Sequence, residues 1–188
     1  MAQDNEELIK FTSHYIHQYV EGSTKVRMSE LKKAINAIKV ASMLKANIFV
    51  GGNGGSAAIS NHLCCDFIKG ADLRTFSLSC NTPLITAISN DLSYNDTLSY
   101  QIEKLHHSSS DIVILISSSG NSPNIISAAQ TSQKLAIKVI GLSGFDGGKL
   151  KEMSDISLHV PIHNYGIVED CHQSLMHIIS QYIAKGGN

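Results

Sequence analysis

The chain opens with two segments in which apolar residues recur at steps of three and four. The first predicts a one-sided helix over residues 6–20, which the polar residues 21–24 should end. In the second, Ser29 is placed to cap a helix that continues to about Leu44. The apolar positions are Leu8, Phe11, Tyr15, Ile16 and Tyr19 in the first segment and Leu31, Ile35 and Ile38 in the second. We therefore expect an N-terminal helical hairpin over residues 1–45, and such a hairpin is well suited to oligomerisation.

From residue 46 onward, short apolar runs alternate with helical patterns. Strands are predicted at 47–51, 74–79, 111–116, 136–141 and 156–160, and helices at 56–69, 83–90, 95–106, 122–134, 147–153 and 167–184. Strands that are apolar throughout and separated by helices are typical of a parallel sheet covered on both faces. The pattern predicts an α/β fold, a three-layer sandwich with a five-stranded parallel sheet. We expect residues 1–188 to form a single domain, with residues 46–188 as its α/β core.

The composition of the chain argues against several classes of protein. The 188 residues are 43% hydrophobic and 16% charged, with a formal net charge of −1, so bulk charge does not indicate a nucleic-acid surface. The apolar runs are too short to cross a bilayer, and residues 1–7 lack the features of a signal peptide, so we expect a cytoplasmic protein without membrane contact. The four cysteines follow neither a zinc nor a disulfide pattern, which favours reduced thiols.

A glycine-rich loop, Gly-Gly-Asn-Gly-Gly-Ser at residues 51–56, directly follows the apolar run 47–50 and precedes a helical pattern. A bare backbone that enters a helix N-terminus offers free N–H groups and partial positive charge to an anion. A Walker A loop would need a lysine after the glycines, and none is present. A dinucleotide fingerprint would need an acidic residue after the next strand, where the chain has residues 78–81, Leu-Ser-Cys-Asn. A tight turn that binds no ligand is the remaining alternative.

A serine-rich loop at residues 117–122 follows the apolar run 112–116 in the same way. Ser122 is a natural N-cap and Pro123 a favoured first helical residue. Capping does not account for the three preceding serines, whereas hydroxyls that converge above a helix start would account for them if the ligand is a phosphate. Since ligands of parallel α/β sheets bind at the carboxyl ends of the strands, the two loops predict a small phosphorylated ligand held between them.

Several segments of the chain resemble the sugar isomerase (SIS) domain and, within it, the bacterial phosphoheptose isomerase family. The segments are GGNGGSAAISNHLCCDF at 51–67, AISND at 87–91, ISSSGNSPNII at 116–126, GLSGFDGGKL at 141–150 and EDCHQSLMHII at 169–179. The family converts sedoheptulose 7-phosphate into D-glycero-D-manno-heptose 7-phosphate. The resemblance implies the SIS fold, a role in lipopolysaccharide or capsule heptose synthesis, and a homotetramer whose sites draw residues from neighbouring subunits.

The resemblance also implies roles for particular residues. Those that would grip the phosphate are Ser56, Ser117, Ser118, Ser119 and Ser122, and those that would line the sugar are Asn53, Gly54, Gly55, Asn90 and Asp91. His62 and His177 match the two functional histidines of the family, which also bind zinc. Asp66 stands where the family has a catalytic, metal-binding Glu, and Glu169 where it has a Gln. One zinc ion per site is thus implied, with His62, Asp66, Glu169 and His177 as ligands and substrate contacts from His62, Asp66 and Glu169.

Aldose–ketose isomerisation moves a proton between C1 and C2 and needs a base, a partner for the oxygens and stabilisation of the enediolate. We expect His177 to be the base, Asp66 or Glu169 the acid–base partner, and zinc the electrophile. His62 and Asp66 are four residues apart and share a helix face. Glu169 and His177 are about 12 Å apart along a straight helix, so both reach one ion only if Glu169 lies at the helix start. Gln173 shares the face of His177 and could substitute.

Two other functions are consistent with the same fold: a non-catalytic SIS regulator of replication initiation, and an isomerase that acts on another phosphosugar. The presence of two histidines and two nearby carboxylates favours an enzyme over a regulator. The two altered carboxylate positions keep the other phosphosugar open, because a carboxylate arm shortened by one methylene shifts the geometry of the site. We expect the site to be shifted in detail and not abolished.

Overall fold

A computed structural model describes residues 2–186, with side chains from residue 5 onward, so the ends of the predicted domain at residues 1, 187 and 188 lie outside the described residues. The helices are α1 Ala2–Lys25, α2 Met28–Met43, α3 Gly54–Ala71, α4 Thr82–Asp91, α5 Ser99–Leu105, α6 Pro123–Lys134, α7 Gly148–Met153 and α8 Tyr165–Ala184, with a 3₁₀ turn at Tyr94–Asp96. The strands are β1 Ile48–Gly52, β2 Thr75–Ser77, β3 Ile112–Ser117, β4 Lys138–Ser143 and β5 Ile156–His159.

The five described strands form one parallel sheet in the order β2-β1-β3-β4-β5, which confirms the predicted architecture. The strands β1 and β3 are neighbours although a strand and three helices separate them in sequence. In their register Gly52 pairs with Ile116, so the two strands end side by side. The glycine loop and the serine loop therefore leave the sheet at adjacent positions, which is what a ligand held between them requires.

Alternating residues of the strands feed two hydrophobic cores, one on each face of the sheet. In β3, Ile112, Ile114 and Ile116 pack on the face that α2, α3 and α8 cover, whereas Val113 and Leu115 pack on the face of α5, α6 and α7. All five side chains are almost completely buried. Burial on both faces explains why the strands are apolar at every position. The first face carries α3 and α8 packed against each other, and these two helices bear the predicted histidines.

The first helix extends beyond its predicted end, and the interruption expected at residues 21–24 is wrong. The helix α1 continues to Lys25, with Gly22 buried inside it. A Cβ added at Gly22 would lie 2.9 Å from Cγ1 of Ile162 and 3.2 Å from Sγ of Cys171, so α1 packs closely against these two side chains at this glycine. Glycine lowers helix stability, but the packing that it allows here outweighs the loss.

Three other boundaries differ for local reasons. The second helix begins at Met28, with Arg27 at the N-cap position and no side-chain cap, so Ser29 lies within the first turn. Strand β4 starts two residues later than predicted, because Ala136 has a φ of +55° and belongs to the turn after α6. Helix α8 starts two residues earlier than predicted, since Asn164 caps it by accepting a hydrogen bond from the backbone N–H of Ile167.

The four cysteines are free thiols, in agreement with the sequence. Cys64 and Cys171 are buried and Cys65 and Cys80 are exposed. Burial raises the pKa of Cys64 to about 12, which keeps its thiol protonated and unreactive. Within the described part of the chain, none of the helices is both long and apolar enough to span a bilayer.

Candidate active site

A serine-lined cavity lies at the carboxyl ends of β1 and β3. It has a volume of about 150 Å³. Its lining residues are Asn53, Ser56, Ile116, Ser117, Ser118, Ser119, Ser122, Tyr165 and Glu169. The serines come from both loops that the sequence singled out, together with the first turn of α3. We refer to this space as the serine cavity.

The hydroxyls of the serine cavity are available to a ligand to different extents. Ser118 is 5% exposed, and its Oγ has no hydrogen-bond partner among the described residues. Ser122 precedes α6 at the N-cap position without a side-chain cap, and its Oγ lies 3.4 Å from Oγ of Ser117. Ser119 is engaged, since its Oγ accepts from the backbone N–H of Asn121. A buried hydroxyl without a partner is costly, and an anion in the cavity would remove that cost for Ser118.

The N-terminus of α6 adds to this environment. Pro123 is the first helical residue and has no N–H, as the sequence predicts. The hydroxyl of Ser122 does not occupy the free N–H groups of the first turn, so they and the helix dipole stay available to an anion. The predicted capping role of Ser122 is therefore limited to its backbone position, and its side chain belongs to the cavity.

Glu169 is one of the residues that line the serine cavity. It lies in the second turn of α8 and packs against the start of α3, where a Cβ added at Gly55 would overlap the carboxylate of Glu169. Glycine at position 55 is thus required for this close approach. The sequence predicted that Glu169 and His177 could share an ion only if Glu169 lay at the start of the helix. Because α8 begins at Tyr165, Glu169 does not lie there.

Asn53 is held by a network of side chains that the sequence did not predict. The amides of Asn53 and Asn124 exchange two hydrogen bonds of 2.8 and 2.9 Å, and Tyr94 donates its hydroxyl hydrogen to Oδ1 of Asn53 at 2.8 Å. Tyr165 lines the serine cavity on the other side. Asn124 could have been predicted from the sequence, because it follows Pro123 in the first turn of α6, next to the serine loop. The two tyrosines could not, because they reach the site only through the tertiary fold.

The histidines and Asp66 form a second group, on the facing sides of α3 and α8. Oxygens of Asp66 lie 3.6 Å from Nε2 of His62 and 3.8 Å from Nε2 of His177. The two rings meet edge to face with centroids 5.0 Å apart. We call His62, Asp66 and His177 the histidine group. It borders a second cavity of about 430 Å³.

The histidine group fits a divalent metal ion. One ligand atom from each of the three side chains can be chosen so that all lie within 4.8 Å of one another. Two imidazoles and one carboxylate are a donor set that zinc accepts, and such a set leaves a coordination position for substrate. Among the described residues this is the one such cluster of three, and Glu169 is not part of it.

Gln173 connects the two histidines. Its Nε2 lies 3.3 Å from Nδ1 of His62 and 3.1 Å from Nε2 of His177, so one amide contacts rings on both helices. The spacing of four residues between Gln173 and His177 predicts that they share a helix face, and this is confirmed.

Asn90 and Asp91 do not join either cavity. They form the last residues of α4 rather than the loop after it, and both are exposed. The side chain of Asn90 donates to Oδ1 of Asp91 at 2.8 Å, so the two are paired with each other. Helix α4 extends one residue further at each end than the predicted 83–90, so Asp91 also belongs to the helix.

His172 is an unusual packing residue. It is completely buried in α8 between the levels of Glu169 and His177, and neither ring nitrogen has a hydrogen-bond partner among the described residues. Burial lowers the pKa of His172 to about 4, so the ring is neutral near pH 7.

The comparisons with known proteins agree with this geometry. Residues 13–144 match the model of the SIS domain family. Phosphoheptose isomerases of Helicobacter pylori and Aliarcobacter butzleri are 32% and 35% identical, over 82% and 89% of this chain and 83% and 91% of their own lengths. The structure of a phosphoheptose isomerase from Neisseria gonorrhoeae superposes with a TM-score of 0.89 at 29% identity, covering 96% of this chain and 98% of that one. The chain therefore belongs to the SIS domain family and, within it, to the phosphoheptose isomerases.

Proposed function

We propose that the protein is an aldose–ketose isomerase that converts sedoheptulose 7-phosphate into D-glycero-D-manno-heptose 7-phosphate through an enediol. The observation that carries the proposal is that the serine cavity and the histidine group both include residues of α3 and α8. Ser56 and His62 are both on α3, about 9 Å apart along the helix axis. In a seven-carbon sugar the phosphate and the reacting carbonyl are at opposite ends, which suits such a separation.

The phosphate would bind in the serine cavity. Ser56, Ser117, Ser118 and Ser122 offer hydroxyls there, Ser119 contributes through its backbone, and the start of α6 offers N–H groups. Each hydrogen bond to a doubly charged phosphate is stronger than one to a neutral acceptor. Asn53, Gly54 and Gly55 would follow the sugar chain from this anchor along the first turn of α3. The exposed pair Asn90 and Asp91 would need a neighbouring subunit or a movement of α4 to reach it.

The proton transfers would take place at the histidine group. His177 would act as the base that removes the carbon-bound proton, and Asp66 would carry protons between the neighbouring oxygens. Glu169, at the cavity wall between the phosphate and the histidines, could serve the hydroxyls nearer the phosphate. The burial of Asp66 is intermediate, which leaves its carboxylate reachable by substrate while the two imidazoles stay in contact with it.

We propose zinc as the metal ion of this site, held by His62 and Asp66, with His177 as a further donor whenever its ring is not taking up the substrate proton. When bound, the ion would polarise the substrate oxygens and stabilise the negative charge of the enediolate. The support is the donor set and its spacing. Asp66 is one methylene shorter than glutamate, and the approach of α3 to α8 brings its carboxylate within 3.8 Å of both rings nonetheless.

We further propose a cytoplasmic homotetramer that supplies heptose for lipopolysaccharide or capsule, with the hairpin of residues 1–45 as the oligomerisation element. The support is an apolar face of α1 that stays open in one chain: Leu8 and Phe11 are 63% and 66% exposed. Tyr15 and Tyr19 fix this helix to α8 through 2.6 Å hydrogen bonds with Asp170 and Ser174. A second copy packed on that face would therefore lie next to the helix that carries His177.

The alternative functions are not favoured. A regulator of replication initiation would have no need for a base, a carboxylate and metal-ligand types within 4.8 Å of one another. An isomerase of a different phosphosugar is less consistent with relatives at 32% and 35% identity that are phosphoheptose isomerases.

The decisive test is to incubate the purified protein with sedoheptulose 7-phosphate, with and without added zinc, and to follow the formation of the aldoheptose 7-phosphate. We expect turnover, and faster turnover with zinc than after chelation. Retained binding of the phosphosugar without turnover in either condition would contradict the proposal. Conversion of a shorter phosphosugar in preference to this one would support the alternative isomerase.

A further inference from the structure

Gln173 is placed where a ligand of the histidine group would be. It projects from α8 on the same face as His177, and its amide lies between the ring of His177 and the ring of His62 across the helix interface. The distances to the two ring nitrogens are 3.1 and 3.3 Å. Gln173 is only partly buried, so its amide is open to solvent on one side.

The spacing of the four polar groups resembles that of a ligand shell. In a tetrahedral site with metal–ligand bonds of 2.0–2.1 Å, neighbouring ligand atoms lie roughly 3.3 Å apart. Nε2 of His177 lies 3.1 Å from Gln173 and 3.8 Å from Asp66, close to this value. His62 faces Gln173 with Nδ1 at 3.3 Å and Asp66 with Nε2 at 3.6 Å, so its ring would have to turn one nitrogen to the ion for the four groups to share it.

The carboxamide of Gln173 can interact with the histidine group both with and without a bound ion. Its oxygen and nitrogen exchange positions by a rotation about the last side-chain bond, and the two atoms are assigned from their hydrogen-bond partners. In the metal-free arrangement the NH₂ group donates to the lone pairs of both rings. After rotation, the carbonyl oxygen takes its place and faces the position between the rings.

We propose that Gln173 is the fourth protein ligand of the cation site, with its amide oxygen turned to the ion that His62, Asp66 and His177 hold. The inference rests on the proposed function in taking that ion to be the isomerase's metal. Glu169, the fourth ligand implied by family resemblance, lines the serine cavity and has its carboxylate against Gly55. The two residues thereby exchange roles: Gln173 completes the metal site, and Glu169 is left to contact substrate.

The replacement has a consequence for the chemistry. An amide oxygen is neutral, so it holds a divalent ion less strongly than a carboxylate does. Gln173 would thus add a neutral donor that helps to hold the ion, and a substrate oxygen could compete with it for that position more easily than with a carboxylate.

The test is a titration of the metal-free protein with zinc in the presence of a competing chelator. We compare the wild-type chain with Gln173→Leu, which removes the amide at similar volume, and expect at least about tenfold weaker zinc binding. Gln181→Leu is the matched control, because Gln181 lies two turns further along α8, borders the same cavity and makes no hydrogen bond to either ring within the described structure. We expect its zinc affinity to equal that of wild type.

A second readout uses cobalt(II), whose visible spectrum reports the number and geometry of its ligands. The spectrum of the cobalt-loaded protein should change in Gln173→Leu and not in Gln181→Leu or Glu169→Gln. Circular dichroism melting verifies that each variant is folded. If Gln173→Leu does not fold, Gln173→Asn, which keeps an amide on a shorter arm, should show the same loss of affinity.

Equal zinc affinity and equal cobalt spectra for wild type and Gln173→Leu would overturn the inference, as would a wild-type protein that binds no zinc. If zinc affinity falls in Glu169→Gln and not in Gln173→Leu, the fourth ligand is Glu169. These outcomes are independent of the proposed function, which fails if the metal-loaded wild-type protein does not turn over sedoheptulose 7-phosphate.

Discussion

The serine cavity and the histidine group share the helices α3 and α8 but are built from different parts of the protein. The cavity is made mostly by backbone and short hydroxyls where two strands end, so its position follows from the order of the strands. The histidine group is made by long side chains in the middle of two helices, so its geometry follows from helix phase and from how closely the helices pack. On the proposed function, the first would bind the phosphate without the second, whereas the second would act only on a substrate that the first holds.

This difference predicts that substitutions will separate binding from turnover. Changes in the cavity should act mainly on KM, since they remove contacts made equally in the ground state and the transition state. Changes in the histidine group should act mainly on kcat, because a base and its partner work only while the proton is in transit.

The largest effect is expected for His177→Ala. Loss of the base should lower kcat by about 1,000-fold, with little change in the protein's melting temperature, since the ring is only partly buried. The measurement is steady-state turnover of sedoheptulose 7-phosphate. His107→Ala is the control, because His107 is an exposed histidine beside Asp111 at the opposite end of β3. Equal losses in both variants would mean that His177 has no special role.

A change that affects both regions together is the protonation of His172. Its pKa is about 4 in the folded protein and near 6.5 when unfolded, so the unfolded chain binds the extra proton between these values. Stability should therefore fall as the pH is lowered from about 6.5 to about 4, by about 3 kcal/mol from this residue. Denaturant unfolding across that range measures it.

The matched variant is His172→Leu, in which this part of the pH dependence should disappear while the stability near pH 7 is kept or raised. Since His172 lies on α8 between the levels of Glu169 and His177, phosphate binding and turnover should be lost together as the wild-type protein is acidified. An identical acid dependence of stability in His172→Leu and wild type would show that another group is responsible.

A smaller effect, confined to the cavity, is expected for Ser118→Ala. A hydrogen bond to a charged group contributes about 1.5–3 kcal/mol, so KM should rise by roughly 10–100-fold while kcat stays close to wild type. The free protein should not lose stability, because Oγ of Ser118 has no partner to lose in the described structure. Ser157→Ala removes another unpartnered hydroxyl, from β5, and should leave KM unchanged. A fall in kcat without a rise in KM would contradict the division between the two regions.

The smallest effect is expected at the boundary of the two regions. In Gly55→Ala the new methyl group would displace the carboxylate of Glu169, the flexible end of a side chain, so the fold should survive. We expect kcat/KM to fall by about tenfold, since small shifts of a positioned group reduce the rate. Gly70→Ala, in the last turn of the same helix where a Cβ meets no atom, should instead raise stability by less than about 1 kcal/mol. Unchanged kinetics in Gly55→Ala would remove Glu169 from the reaction.

The contrast between the serine cavity and the histidine group also explains which features the sequence predicted well. Strand ends and small-residue loops are local signals, so the sheet and most of the serine cavity were predicted from the alternation of apolar runs with glycines and serines. Tyr94 and Tyr165 were missed because nothing in their neighbourhood shows that they reach the site through the tertiary fold. The end of α1 was misplaced because Gly22 breaks a helix by propensity but permits packing against Ile162.

The histidine group was less predictable, because the residues that meet there depend on small rotations and shifts of α3 and α8 relative to each other. An α8 that starts two residues earlier than the pattern predicts puts Glu169 in the second turn and leaves Gln173 between the rings. The role of Asn90 stays a prediction, since its exposed side chain at the end of α4 lines neither cavity. Periodicity defines which residues share a face, but it does not define which of them meet a neighbouring helix.

The division of work between the two regions is tested most directly by calorimetric titration of sedoheptulose 7-phosphate into two inactive proteins, His177→Ala and the double variant Ser118→Ala/His177→Ala. Because neither converts the sugar, each titration reports binding alone. The account predicts that His177→Ala binds the sugar phosphate and that the added Ser118→Ala change weakens binding by roughly 10–100-fold. Absence of binding to His177→Ala, or equal affinity in the two proteins, would contradict it.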